Sequence, residues 1–159
     1  MENCLAVSIP TECGSKLSNF KEGEKVDPTY FKSLVGSLRY LTCTRPDILY
    51  SIGLVSRFME TPTTTHLKSA NRILRYLKST MDYRLFYHRS NEFNLVGYYD
   101  NDWAGDIDER KSTTEYVFFM GDTYSSWSSK KQPIVTLSTC EAEYVAACSC
   151  VYQKELNMP

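Results

Sequence analysis

Between Asp27 and Lys78 the apolar positions recur three and four residues apart, and after Thr80 they alternate. Asp27 stands before Pro28, an N-cap residue ahead of a proline suited to the first helical position. Phe31, Leu34, Val35, Leu38 and Leu41 then share one helical face. This first helix closes near "TRPD", because Pro46 biases Arg45 away from helical geometry. A second helix is expected from about Asp47, with Ile48, Ile52, Val55 and Met59 on one side. "TPTTTH" breaks the chain, and a third helix over about Thr65 to Lys78 buries Leu67, Ala70, Ile73, Leu74 and Leu77.

The period of two that follows predicts strands. "YRLFYH" and "FNLVGYYD" read as a hairpin joined through "RSNE", and "TEYVFFMG" and "TYSSWSSKK" as a second pair around Gly121-Asp122. "STCEAEYVAACSCVYQKEL" predicts a final helix. Residues 1–26 lack periodicity and read as a linker or the edge of a larger domain. Residues 27–85 form a helical segment and 86–159 a strand-rich unit. The class expected is α+β.

Composition narrows the possibilities only in part. At 159 residues, with 42% hydrophobic and 23% charged positions, the chain has the make-up of a folded domain. Its net charge of -1 conceals an uneven distribution. Between Thr61 and Ser90 the basic residues Lys68, Arg72, Arg75, Lys78, Arg84 and Arg89 face Asp82 alone. An acidic tract follows: Asp100, Asp102, Asp106, Asp108 and Glu109, with no basic residue before Arg110 in the sequence. A basic tract beside an acidic one suits a polyanion held partly through bound cations. The six cysteines show no zinc-ligand spacing and read as reduced, mostly buried thiols. No signal peptide and no membrane span are expected, which points to the cytoplasm or nucleus.

On a strand, Val96, Tyr98, Asp100 and Asp102 point one way. A polar strand end with a solvated acidic turn accounts for them. So does a cation site, if another carboxylate arrives from elsewhere, since magnesium takes oxygen ligands and a two-metal site clamps a phosphodiester. The final helix offers two glutamates. Ser138 and Glu141 match a capping box, which explains Glu141 structurally. Glu143 lies about 200° further round the helix and is free for another role. Lys68, Arg72 and Arg75 fall at i, i+4 and i+7, one stripe that is either a solvated face or a row of phosphate contacts, with Arg89 following. The residues alone leave both pairs of readings open.

The run "GYYDNDWAGDIDERKSTTEYVFFMGDTYSSWSSKKQPIVTLSTCEAEYVAA" resembles the start of the ribonuclease H domain of copia-type retrotransposon Pol polyproteins. "VGSLRYLTCTRPDI" and "RILRYLKST" upstream resemble the segment joining the reverse-transcriptase palm to that domain. The likeness covers about residues 27–156 and implies a ribonuclease H-like fold, incomplete here, preceded by a helical connection. It implies Asp100 and Glu143 as catalytic residues and metal ligands, with Asp102 as the alternative strand ligand. It further implies two magnesium ions, hydrolysis of the RNA strand of an RNA–DNA hybrid, and the remainder of the polyprotein as a partner. Lys68, Arg72, Arg75 and Arg89 would meet the nucleic acid. Ser79, Arg84 and Glu115 stand where the family usually has glycine. The family's later catalytic Asp lies on a strand this sequence does not reach, so the expectation is a chain inactive by itself: a binding remnant or a non-functional derivative.

Overall fold

The computed structural model describes residues 5–12, 14, 16–19, 23–87 and 94–157. The chain divides into two compact units, Met1–Arg84 and Leu85–Pro159. The first unit holds α1 (Pro28–Leu41), a single 3-10 turn at Pro46–Ile48, α2 (Leu49–Ser56) and α3 (Thr64–Ser79). The second holds β1 (Leu95–Asp102), β2 (Thr113–Met120), β3 (Thr123–Lys131) and α4 (Thr139–Asn157). The α+β class expected from the period change is thus observed.

The helical unit starts as its sequence dictates. The Asp27 carboxylate accepts the amides of Thr29 and Tyr30 at 2.9 and 3.4 Å, covering two of the donors left open at a helix start. Phe31, Val35, Leu38, Ile48, Ile52, Val55, Ala70 and Ile73 form the core. Leu34, Leu67, Leu74, Leu77 and Met59 pack around it half-buried, and Leu41 reaches the surface at the last turn. Hydrophobic spacing did not announce two further core members, His66 and Tyr76. The ring of His66 stacks on Phe58 with centroids 4.1 Å apart. Its Nδ1 accepts the Thr63 amide at 3.1 Å, closing a capping box at the start of α3, and this assigns the ring proton to Nε2, which faces the Ser18 carbonyl at 3.2 Å.

Two expectations are corrected. The strand anticipated at Tyr83–His88 is absent over Tyr83–Tyr87, and its hairpin turn, with His88 and Arg89, lies outside the described residues. Alternation there finds no face to bury against: Tyr83, Phe86 and Tyr87 are all exposed. Tyr83 is occupied otherwise, its amide donating to the Thr80 carbonyl and its ring lying 5.7 Å from the Arg45 guanidinium carbon. The cysteines are not mostly buried either. Of those described, Cys43, Cys140 and Cys148 are exposed and only Cys150 is buried; none forms a disulfide. Cys140 and Cys148 fall off the buried stripe of α4, which runs through Ala142, Ala146 and Cys150.

The sheet has strand order β1-β2-β3, antiparallel throughout. β2 and β3 meet at Gly121, whose φ of 60° suits the turn read at Gly121-Asp122. α4 returns over β1 and β2, setting its small-residue stripe against Phe118, which is fully buried. Gly97 explains the choice of small residues. A Cβ there would lie 2.5 Å from Phe118 Cε1 and 3.3 Å from Cys150 Sγ, so only glycine fits beneath ring and helix.

Candidate functional site

The acidic tract that opens the question at the end of β1 separates into two groups. Asp106 is buried and belongs to a closed turn. Its Oδ1 accepts the amides of Asp108 and Glu109 at 3.0 and 2.9 Å, and its Oδ2 the Lys131 ammonium at 2.9 Å. Lys131 also pairs with Glu109 at 2.7 Å, as does Lys111. The positive charge absent from the sequence before Arg110 therefore arrives from the end of β3. Arg110 itself, at φ 58°, belongs to the turn backbone. Lys111 and Lys131 hold Glu109 below the usual carboxylate range.

Asp100 and Asp102 form the other group. The register pairs Asp100 with Glu115 of β2, and Glu115 in turn with Ser129 of β3, so all three share a face of the sheet with Asp102. Ser129 donates to Glu115 Oε1 at 2.7 Å. Burial pushes the Glu115 carboxyl up, and the charges of Asp100 and Asp102 push it further. The Asp102 carboxylate lies directly on the backbone of Gly105, where a Cβ would collide with it; this gives the glycine of "DWAGD" a steric reason. Glu115, flagged in the sequence only as an unusual residue, is the carboxylate that the fold brings to Asp100.

One test concerns that residue. A glutamate protonated more readily in the folded than in the unfolded chain loses stability as pH rises through its folded pKa. Glu115→Gln removes this slope, keeps an acceptor for Ser129, and relieves like charges facing across the ladder. We expect the variant to be more stable at pH 7 by up to about 1 kcal/mol, with parent and variant converging near pH 4. Urea unfolding followed by tryptophan fluorescence reads this out, since Trp103 and Trp127 both lie in the sheet unit. Stability of the parent relative to the variant that increases with pH over that interval would overturn the assignment.

The junction of strand and helix rests on Gln132, which sequence reasoning missed. Its side chain is 3% exposed, and its Nε2 donates to Thr114 Oγ1 at 2.9 Å and to the Ala142 carbonyl at 3.1 Å. Thr114 is the register partner of Asn101, between Asp100 and Asp102, and Ala142 precedes Glu143. α4 therefore begins over the acidic end of β1 and reaches Gly97 eight residues later at Cys150. Asp100, Asp102 and Glu143 thus occupy the same end of one strand–helix layer. They do not leave it on the same side: alternation sends Asp100 and Asp102 to the face away from the α4 stripe, and Glu143 emerges from the flank of the helix. Glu143 is exposed and makes no hydrogen bond or ion pair among the described residues. Glu141 behaves as a capping residue, its Oε2 accepting the Leu137 amide at 2.7 Å while its own amide donates to Ser138 Oγ at 3.2 Å.

No three histidine, cysteine or acidic side chains among the described residues converge closely enough to hold a metal ion. Asp100, Asp102 and Glu143 are oxygen donors of the type magnesium takes, yet magnesium requires near-octahedral closure. These described residues alone do not cage it. The basic residues of α3 are placed more definitely. Lys68 is exposed, Arg72 and Arg75 are half-buried, and Arg72 Nη1 pairs with Glu12 at 2.7 Å. Arg89 lies outside the described residues. No helix among those described is long and apolar enough to cross a membrane.

Comparison with known proteins places the chain. No family model matches it, and no solved structure matches it. It is 45% identical over 138 residues to the retrovirus-related Pol polyprotein from transposon RE1 of Arabidopsis thaliana, covering 87% of this chain and 9% of that protein. It is 44% identical over 154 residues to the Pol polyprotein from transposon TNT 1-94 of Nicotiana tabacum, covering 92% of this chain and 12% of that one. The chain thus spans about a tenth of the length of these polyproteins. It is also 45% identical over 117 residues to the secreted RxLR effector protein 161 of Plasmopara viticola, covering 73% of this chain and 82% of the effector. With identity at this level over most of its length, the chain belongs to the Pol polyproteins of copia-type retrotransposons.

Proposed function

We propose that this chain is the segment of a retrotransposon Pol polyprotein that links reverse transcriptase to ribonuclease H and includes the start of the ribonuclease H-like fold. One observation carries the reading. The antiparallel order β1-β2-β3, followed by a helix returning over β1, supports it: the start of α4, with Glu143, overlaps the end of β1 that carries Asp100, on a different side of the layer, and Gln132 fixes that overlap. In this reading Asp100 and Glu143, with Asp102, are a partial set of magnesium ligands completed by the remainder of the polyprotein. Lys68, Arg72 and Arg75 contact phosphates of an RNA–DNA hybrid. By itself the chain binds hybrid and does not cut it, because two-metal hydrolysis needs more carboxylates than converge here. The effector relative, of which this chain covers 82%, favours a second reading in which much of this region works as a non-catalytic module.

Both readings are tested with a fluorescent RNA–DNA hybrid and magnesium. Three phosphate contacts predict an affinity that falls with salt on a log–log slope of about -3. Lys68→Gln should make that slope shallower by about one. Binding without cleavage is the expected result. Magnesium-dependent cleavage that disappears in Asp100→Asn and Glu143→Gln would show the chain to be catalytic alone. Absence of any salt-sensitive binding would remove the nucleic-acid reading.

A further inference from the structure

Lys68, Arg72 and Arg75 do more than line up on a helix. They form one wall of a cavity of about 340 Å³ within the helical unit, whose other walls include Ser51 of α2 and the segment carrying Thr11 and Glu12. Leu17, Leu54 and Ile73 supply an apolar floor. Thr11 donates to Ser51 Oγ at 2.6 Å, which leaves the Ser51 hydroxyl proton to be used elsewhere.

The charge in this cavity is unbalanced. Three cationic side chains meet one carboxylate, Glu12, and that carboxylate is engaged by Arg72 Nη1. Among the described residues neither Lys68 nor Arg75 has an ion-pair partner. The Nε of Arg72 is buried without an acceptor. A buried guanidinium N–H left unpaired is costly, so a cavity lined by three cationic side chains, one of them with such an open donor, is suited to an oxyanion. The volume lies in the range of small-ligand pockets. A duplex running along an exposed face would not fill it.

We infer that this cavity binds a compact phosphoryl anion, one phosphate or a short polyphosphate, gripped by Lys68, Arg72 and Arg75. The anion is either free or the terminal phosphate of a polynucleotide, since both present the same oxygens. The inference does not depend on the carboxylates of β1. It shares Lys68, Arg72 and Arg75 with the hybrid reading, and the readouts separate the two: pyrophosphate binding reports on the cavity, the salt slope of hybrid binding on the exposed face.

The test uses the full chain and isothermal titration with pyrophosphate, with sodium chloride added to the reference cell to equal ionic strength. Saturable binding at one site is expected, and Lys68→Gln and Arg75→Gln should each weaken it roughly tenfold, the worth of one charge-assisted bond. Far-UV circular dichroism of each variant checks the helices, and Lys68→Arg, which keeps the charge, should retain most of the affinity. Two oligonucleotides, identical except for a 5′-phosphate, distinguish the sources. Preference for the phosphorylated one that is lost in Arg75→Gln assigns the cavity to a strand end, and equal binding of both assigns it to free anions. No binding of pyrophosphate, or binding that folded Lys68→Gln/Arg75→Gln retains in full, would overturn the inference.

Discussion

Replacing Asp47 with alanine is expected to lower the stability of the helical unit by about 2–4 kcal/mol. Asp47 sits in the 3-10 turn before α2, where its Oδ1 accepts Arg45 Nε at 2.9 Å and its Oδ2 accepts Arg45 Nη2 at 2.7 Å. Oδ2 also accepts the Tyr76 hydroxyl at 2.8 Å. Arg45 continues the connection to the end of α3, donating to the Thr80 carbonyl at 3.0 Å and to Thr80 Oγ1 at 2.7 Å. The Arg45 side chain is only 11% exposed, so removing its carboxylate leaves a largely buried guanidinium with half its fork unmatched. The loss exceeds that of a surface pair because it strands three donor groups at once, two of Arg45 and the Tyr76 hydroxyl.

The same network fixes a pH dependence. Burial raises the Asp47 pKa, but the hydrogen bonds from Arg45 and Tyr76 outweigh it, and the net value lies below the ordinary 3.8. A depressed acid stabilises the fold at pH above its unfolded value, and that contribution disappears as pH falls through the folded value. Urea melts followed by far-UV circular dichroism should therefore show the parent losing stability below about pH 4, with Asp47→Asn flatter over the same interval. An Asp47→Ala protein within about 0.5 kcal/mol of the parent would place it among ordinary surface changes and end this account.

The helical unit was largely legible in the sequence because its signals are local. Asp27-Pro28 sets the start of α1, and Phe31, Val35 and Leu38 follow at the spacing that a buried stripe needs. His66 escaped because its place depends on Thr63, Phe58 and Ser18 together, and no periodicity marks a polar ring that completes a cap. In the sheet unit, alternation gave β1 and the β2–β3 hairpin, but it misled at Tyr83–Tyr87, where the same pattern has no neighbouring face to cover. The acidic tract shows the limit most clearly. Read along the chain it lacks a counter-charge; read across the sheet, Lys131 lies beside Asp106 and Glu109. The residues proposed as a site are Asp100, Asp102 and Glu143, and the neighbours that pack beside them, Gln132 and Gly105, act through contacts across 3 to 18 positions of sequence.

Gln132 should be the most sensitive position of the sheet unit. Its amide is buried between β2 and the first turns of α4, and Nε2 is the donor to both Thr114 Oγ1 and the Ala142 carbonyl. The opposite atom, Oε1, has no partner among the described residues, nor does the buried Oδ1 of Asn101. Everything the Gln132 side chain contributes by hydrogen bonding thus passes through one nitrogen. Gln132→Leu preserves much of the volume and removes the donor, at an expected loss of about 2–3 kcal/mol. Gln132→Glu is the sharper change: at neutral pH it sets a carboxylate oxygen against two acceptors in a buried place, and the loss should exceed 3 kcal/mol. Protonation restores a donor, so the glutamate variant should recover toward the leucine variant as pH falls to about 5, by the linkage that raises the pKa of any buried acid. Tryptophan fluorescence during urea unfolding measures all three proteins. Hydrogen exchange at the amides of the first turns of α4 shows whether the helix start loosens beside Glu143. Equal losses in the two variants with no pH recovery would mean that Gln132 acts by filling space, and the overlap of α4 with the acidic end of β1 would then need another cause.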